Sequence, residues 1–156
     1  MILHPAYLQR ANVFIEEGCF IGVADRIDLP QIEPEFKMKS SFGFEQVSSV
    51  ASFKAFELNL NLNSCPADIN TILLKAKLNH TCYKAKGMIS IKQKNYTYEL
   101  IACGYIKHLY HTNIRIMLDY LCLNLGGTNT FLFDPNELIL MQDGIDLMSE
   151  TRKALL

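Results

Sequence analysis

No stretch of this chain reaches the roughly 18 consecutive apolar residues of a membrane-spanning helix, so no such span is expected. The opening Met-Ile-Leu-His-Pro-Ala-Tyr has neither the basic start nor the unbroken apolar centre of a secretory signal. There is no basic cluster either. Fifteen Lys and Arg are scattered among 16 Asp and Glu, for a formal net charge of −1. Tight nucleic-acid binding draws on a concentrated basic face, and that class is disfavoured. The five cysteines, Cys19, Cys65, Cys82, Cys103 and Cys122, contain no Cys-x-x-Cys and lie among apolar neighbours. They are expected as buried free thiols in a reducing cytoplasm.

Catalytic signals are equally sparse. Gly126-Gly127-Thr128 is not followed by the Gly-Lys-Ser/Thr of a phosphate loop, and it reads as a hairpin turn. Asp25, Asp28 and Glu33 surround Leu29-Pro30 without a partner base, as solvated loop acids would. Cys103, His108 and His111 lack a fourth ligand at zinc spacing, and on a strand the two histidines would point to opposite faces. Cys65 precedes a helix start, where a thiolate is favoured, yet no His, Asp or Asn context marks it as a nucleophile. The expectation is a protein that is not an enzyme, with no metal and no cofactor.

What the chain does contain is a sheet signal. In Lys54 to Asn63, Phe56, Leu58, Leu60 and Leu62 alternate with Glu57, Asn59, Asn61 and Asn63. Side chains change face at every residue of a strand, so this segment has one dry and one wet face. The wet face carries amides more than charges, which is unusual for a surface that serves solubility alone. With 49% hydrophobic and 20% charged residues, general disorder is excluded and one domain over 1–156 with its own core is expected.

Along the chain, Asn12 to Ile27 reads as two extended pieces joined by Glu16-Glu17-Gly18, and Leu29-Pro30 and Glu33-Pro34 then break regular structure. Ser64-Cys65-Pro66-Ala67-Asp68 has the chemistry of a helix start, with Ser64 as cap. Ile69, Ile72, Leu73 and Ala76 recur at helical spacing, which predicts a helix over about 66–78. Met88 to Lys92 and Thr97 to Lys107 flank a turn at Lys94-Asn95. Ile114 to Leu125 and Thr130 to Leu140 flank Gly126 to Asn129, with Asp134-Pro135-Asn136 as a bulge or kink. The segment from Asp143 onward reads as a short arm.

Phe36 to Phe53 stands apart. Its serines and the aromatics Phe36, Phe42 and Phe44 suit a long hairpin or loop, over about 33–53, that becomes ordered against something else. Apolar patches of this kind mark contact surfaces, the alternative being a loop folded back onto its own core.

Taken in order, these segments resemble the major tail tube proteins of contractile-tailed bacteriophages. Asn12-Val13-Phe14, Phe20-Ile21-Gly22-Val23 and Ile27 to Ile32 are similar to the family's opening. Phe56 to Asn63 and Pro66 to Lys77 are similar to its alternating strand and Pro-started helix. Glu137-Leu138-Ile139, Asp143 to Asp146 and Arg152-Lys153 resemble its closing strand and basic-ended arm. The middle hairpin is shorter than the family pattern and the tail after Asp146 is brief. The resemblance implies a mainly β sandwich or barrel with one flanking helix, six copies to a ring, and rings stacked into a tube inside a contractile sheath. It implies an inter-ring contact loop, here carrying Phe36, Phe42, Phe44 and Phe53. With the dry face of the alternating strand on the core, Glu57, Asn59, Asn61 and Asn63 are then expected to face the lumen. Asp146, Arg152 and Lys153 would belong to an inter-subunit arm. The implied partners are further copies of the chain, a sheath protein, baseplate or initiator proteins and a tape-measure protein. DNA would transit without specific binding, in a virion tail assembled in the bacterial cytoplasm. Alternatives are the tube of a phage-derived bacteriocin or secretion system, and a small-ligand-binding β-barrel, which would need a closed apolar pocket.

Overall fold

Period-two alternation extends well beyond Phe56 to Asn63 and builds most of the molecule. The computed structural model describes residues 7–16, 18–31, 34–53, 56–137 and 139–148. In chain order come β1 (Tyr7–Leu8), β2 (Ala11–Ile15), β3 (Cys19–Asp28), β4 (Pro34–Ser41), β5 (Phe44–Phe53), β6 (Glu57–Asn63) and helix α1 (Ile69–Lys77). They are followed by β7 (Thr81–Ile91), β8 (Lys94–Tyr110), β9 (Asn113–Leu125), β10 (Thr128–Asp134), a 3-10 turn (Pro135–Glu137), β11 (Ile139–Gln142) and β12 (Ile145–Asp146).

Six of these strands close on themselves. β3 pairs with β2, β2 with β7, β7 with β8, β8 with β9, β9 with β6, and β6 returns to β3, all antiparallel. β3 bonds β2 through residues 19–24 and β6 through residues 23–28, so one long strand serves two neighbours. Closure removes open edges that would otherwise pair with other chains. The dry face of β6 points inward. Phe56, Leu58, Leu60 and Leu62 are buried in a core shared with Leu100 and Leu123, and Ile69, Leu73 and Ala76 of α1 join that core. β10, β11 and β12 continue the sheet beyond the barrel from β9. Phe131 and Phe133 meet Phe56 edge-on, with ring centroids 6.0 and 4.6 Å away.

Several boundaries differ from the sequence expectation. The helix proper begins at Ile69, because Pro66 and Ala67 sit in a preceding turn. Ser64 has φ of 51° and ends β6 rather than capping the helix; Asp68 occupies the N-cap without a side-chain cap bond. The β7–β8 turn falls at Lys92-Gln93, both at positive φ, two residues ahead of the expected Lys94-Asn95. Asp134-Pro135 does not kink one strand. It turns the chain back, so that Phe131 pairs with Gln142 and Asp134 with Ile139. Asp143-Gly144 is a second positive-φ turn, and it folds β12 onto β11 where an arm was expected to start.

The expectation of buried free thiols fails for the pair Cys82 and Cys103, which is bonded, and for Cys19, which is exposed. Cys82 and Cys103 lie directly opposite in the β7–β8 ladder and form a disulfide. A separation of 21 residues does not announce such a pair until the register is known. Cys19, Cys65 and Cys122 are free, Cys19 being exposed and the other two half-buried.

One buried hydroxyl costs the fold stability. The Thr130 hydroxyl is shut away from solvent without a hydrogen-bond partner among the described residues. Thr130→Val keeps the shape and removes the unsatisfied oxygen, so it should stabilise the fold by about 1 kcal/mol. A denaturant titration with an unchanged slope and a higher midpoint is the expected result, and a lower midpoint would refute the assignment.

Candidate assembly surfaces

The wet face of β6 lies on the outside of the barrel. Asn61 and Asn63 are exposed, and Glu57 and Asn59 are half-buried by their cross-strand neighbours. Register sets those neighbours: Asn59 faces Asp28 on β3 and Arg115 on β9, and Asn61 faces Asn113. Polar side chains then pair across strands. Lys107 Nζ donates to Glu57 Oε1 at 2.6 Å, and Arg115 Nε is 3.9 Å from Glu57 Oε2. Asn63 Nδ2 donates to Asp25 Oδ2 at 2.6 Å. Arg26 Nε donates to Asp28 Oδ1 at 2.7 Å, and its guanidinium sits 4.0 Å over the Tyr7 ring. Asp25, Arg26, Asp28, Asn59, Asn61 and Asn113 together line a shallow polar cleft of about 270 Å³.

Two points were not legible in the sequence. Asp25 and Asp28 are strand residues of β3, exposed and paired, rather than loop acids; Glu33 lies outside the described residues. The negative charge of Glu57 is also not free, because Lys107 and Arg115, distant in sequence, converge on it. Only the β6–β9 register and the bulged β8–β9 register bring those cations there.

The 34–53 segment is an antiparallel hairpin forming a sheet of its own, with Pro34 opposite Phe53 and Phe36 opposite Val50 and register shifts at Glu35/Phe36 and Lys37/Met38. Its two-residue turn is Phe42-Gly43, with φ of 50° and 79°, the paired positive angles of a type I′ hairpin. Gly43 accepts that geometry readily and Phe42 does not. The turn places Phe42 and Phe44 in solvent, 99% and 72% exposed. The side chains of Phe36 and Phe53 lie outside the described set, although their backbones belong to β4 and β5. Asp146 stands in β12 opposite Met141, and its carboxylate accepts the Met148 N–H at 3.1 Å. Arg152 and Lys153 lie outside the described residues.

The residues weighed for chemistry are occupied otherwise. Cys103 is spent in the disulfide. His108 faces Arg115, and His111 sits at the β8–β9 turn against the Tyr110 ring at 4.4 Å, rather than on a strand. Burial pushes the Cys65 thiol up, opposite to what nucleophilic use requires. Gly126-Gly127 forms the β9–β10 turn.

The described residues thus form a closed barrel with a cross-paired polar face at β6 and an aromatic-tipped hairpin in a sheet of its own. The sequence model of the family described as phage tail tube protein FII matches residues 5–155. The chain therefore belongs to that family, the tail tube proteins of contractile, myovirus-type phages. It is a structural component of the virion tail. No curated protein sequence matches the chain.

Proposed function

We propose that the chain forms hexameric rings that stack into the inner tube of a contractile tail, as a single tail-tube domain over 1–156, and that the tube carries DNA out through its lumen. The observation that carries this reading is the outward β6 face. Its dry side is fully committed to the barrel core, which leaves Glu57, Asn59, Asn61 and Asn63 on a surface free to line a channel. Around them Asp25, Asp28 and Glu57 are offset by Arg26, Lys107 and Arg115. A neutral surface of amides and paired ions neither holds nor strongly repels a phosphate backbone, since affinity for it comes chiefly from unpaired Lys and Arg. In the same reading the β4–β5 hairpin bridges adjacent rings, and Arg152 and Lys153 belong to an arm between subunits that starts after Asp146 in β12. The sheath, an initiator and a tape-measure protein are the remaining partners. Assembly takes place in the host cytoplasm.

The test adds cations to the channel. In Asn59→Lys with Asn61→Lys, electron microscopy should still show hollow tubes with six-fold rings, while infectivity drops by about two orders of magnitude as the repeated charges hold the DNA. Normal infectivity with intact tubes would remove β6 from the lumen. Rings of another symmetry would overturn the hexamer.

A further inference from the structure

We propose that the Phe42–Phe44 tip of one copy docks into a specific depression on the next copy, at the end of the barrel opposite the hairpin's root. This names the receiving surface and rests on the reading of β4–β5 as the bridge between rings. The depression, about 480 Å³, is lined by Phe14, Ile15 and Ile101 with the disulfide sulfur-bearing residue Cys82, and Lys84 and Lys86 stand on its flank. That volume lies within the range of pockets that take organic groups. Phe14, Ile15 and Ile101 are half-buried, so an apolar surface is present and incompletely covered.

Topology puts the hairpin's root and the depression at opposite poles. Ile15 pairs with Cys19 and with Tyr83, so the depression lies where β3 begins and β7 has just started. The hairpin leaves after the other end of β3, at Asp28, and returns just ahead of Glu57 on β6. β3 has 10 residues, which separates the two ends by roughly 30 Å along the strand. β4 has 8 residues, giving the hairpin a reach of about 26 Å. Copies stacked head to tail bring the hairpin pole of one against the depression pole of the next, a heterologous contact that repeats without closing.

Charge fits as well. Glu45 is exposed immediately after Phe44. Lys84 and Lys86 share the Glu99 carboxylate at 3.6 and 3.9 Å, long contacts that leave both ammoniums able to meet a further carboxylate. The Glu16 carboxylate, which also lines the depression, accepts the Cys82 N–H at 3.1 Å. An aromatic tip followed by a carboxylate thus meets an apolar floor beside two lysine ammoniums, complementarity that sets register as well as attraction.

Two experiments decide it. A photoreactive benzoyl-phenylalanine at position 42, in tubes purified from intact particles, should crosslink to peptides containing residues 14–18, 82–86 or 101 of another copy. Crosslinks to the helix or to β10–β12 instead would overturn the proposal. Glu45→Lys should cut tube yield about tenfold, and Glu45→Lys with Lys86→Glu should restore most of it. With the subunits' melting temperatures unchanged, loss without restoration rejects this depression while keeping the hairpin as a bridge. Normal tube yield in Glu45→Lys and in a variant lacking both tip aromatics rejects the bridging reading and the proposal together.

Discussion

Phe42→Ser combined with Phe44→Ser should leave a folded subunit that no longer grows into tubes. Both rings stand in water in the isolated chain, 99% and 72% exposed, and neither belongs to the core. Their removal therefore costs the fold almost nothing, and the melting temperature should stay within about 1 °C of the parent. Assembly is another matter. Burying one such ring at an interface contributes on the order of 1.5–3 kcal/mol, and every copy brings two. Repeated around each ring of a growing tube, that loss raises the concentration needed for elongation by well over about a hundredfold. The check is light scattering and electron microscopy at rising concentration, beside a thermal melt. Tubes that elongate normally from the double variant would show that the hairpin tip plays no part in stacking.

The second large effect is on stability. Gly104→Ala should destabilise the subunit by about 3 kcal/mol, a fall in melting temperature of roughly 6–12 °C for a chain of this size. Gly104 is buried at the bulge where the β8–β9 register shifts between Cys103 and Gly104. A β-carbon there would land on the Met117 carbonyl oxygen, with the Met117 carbonyl carbon 2.9 Å and Leu118 Cα 3.1 Å away. Those atoms are backbone, held in the strand that also pairs with β6, so they cannot swing aside as a side-chain tip would. The ladder must open or the bulge must move. Gly43 is the control, because a methyl there meets nothing within 4 Å and the strain is that of its left-handed backbone alone. An unchanged melt for Gly104→Ala would mean that the bulge relaxes freely.

Sequence carries information of different reach in different parts of this chain. The β6 alternation was legible because a period of two is a local property, and the inward burial of Phe56, Leu58, Leu60 and Leu62 follows from it directly. The short helix was legible from Ile69, Leu73 and Ala76, although its start was misplaced because Ser64 and Pro66 also suit a turn. Lys94-Asn95 attracted the turn that Lys92-Gln93 makes, since no glycine marks the positive-φ pair there. Three features depend on which strands meet and were beyond local pattern: the Cys82–Cys103 disulfide, the cations around Glu57, and the pairing of Asp25 with Asn63. The hairpin was visible from its serines and aromatics, but the exposure of Phe42 and Phe44 follows from the Phe42-Gly43 turn geometry.

The two seams that close the barrel have a consequence for how the chain reaches its native state. From β7 to β12 each strand pairs with the next one in sequence, through short turns at Lys92-Gln93, Gly126-Gly127 and Asp143-Gly144 among others. Such hairpins form by closing small loops, and their entropic cost is low. Seating β2 on β7, with Ala11 opposite Gly87, and β6 on β9, with Glu57 opposite Met117, requires partners some 60 to 80 positions apart. The C-terminal meander is therefore the natural nucleus, and the N-terminal strands complete it last. During synthesis the ribosome delivers those closing strands first. They wait, with their leucines unburied, for the half of the chain that gives them somewhere to go.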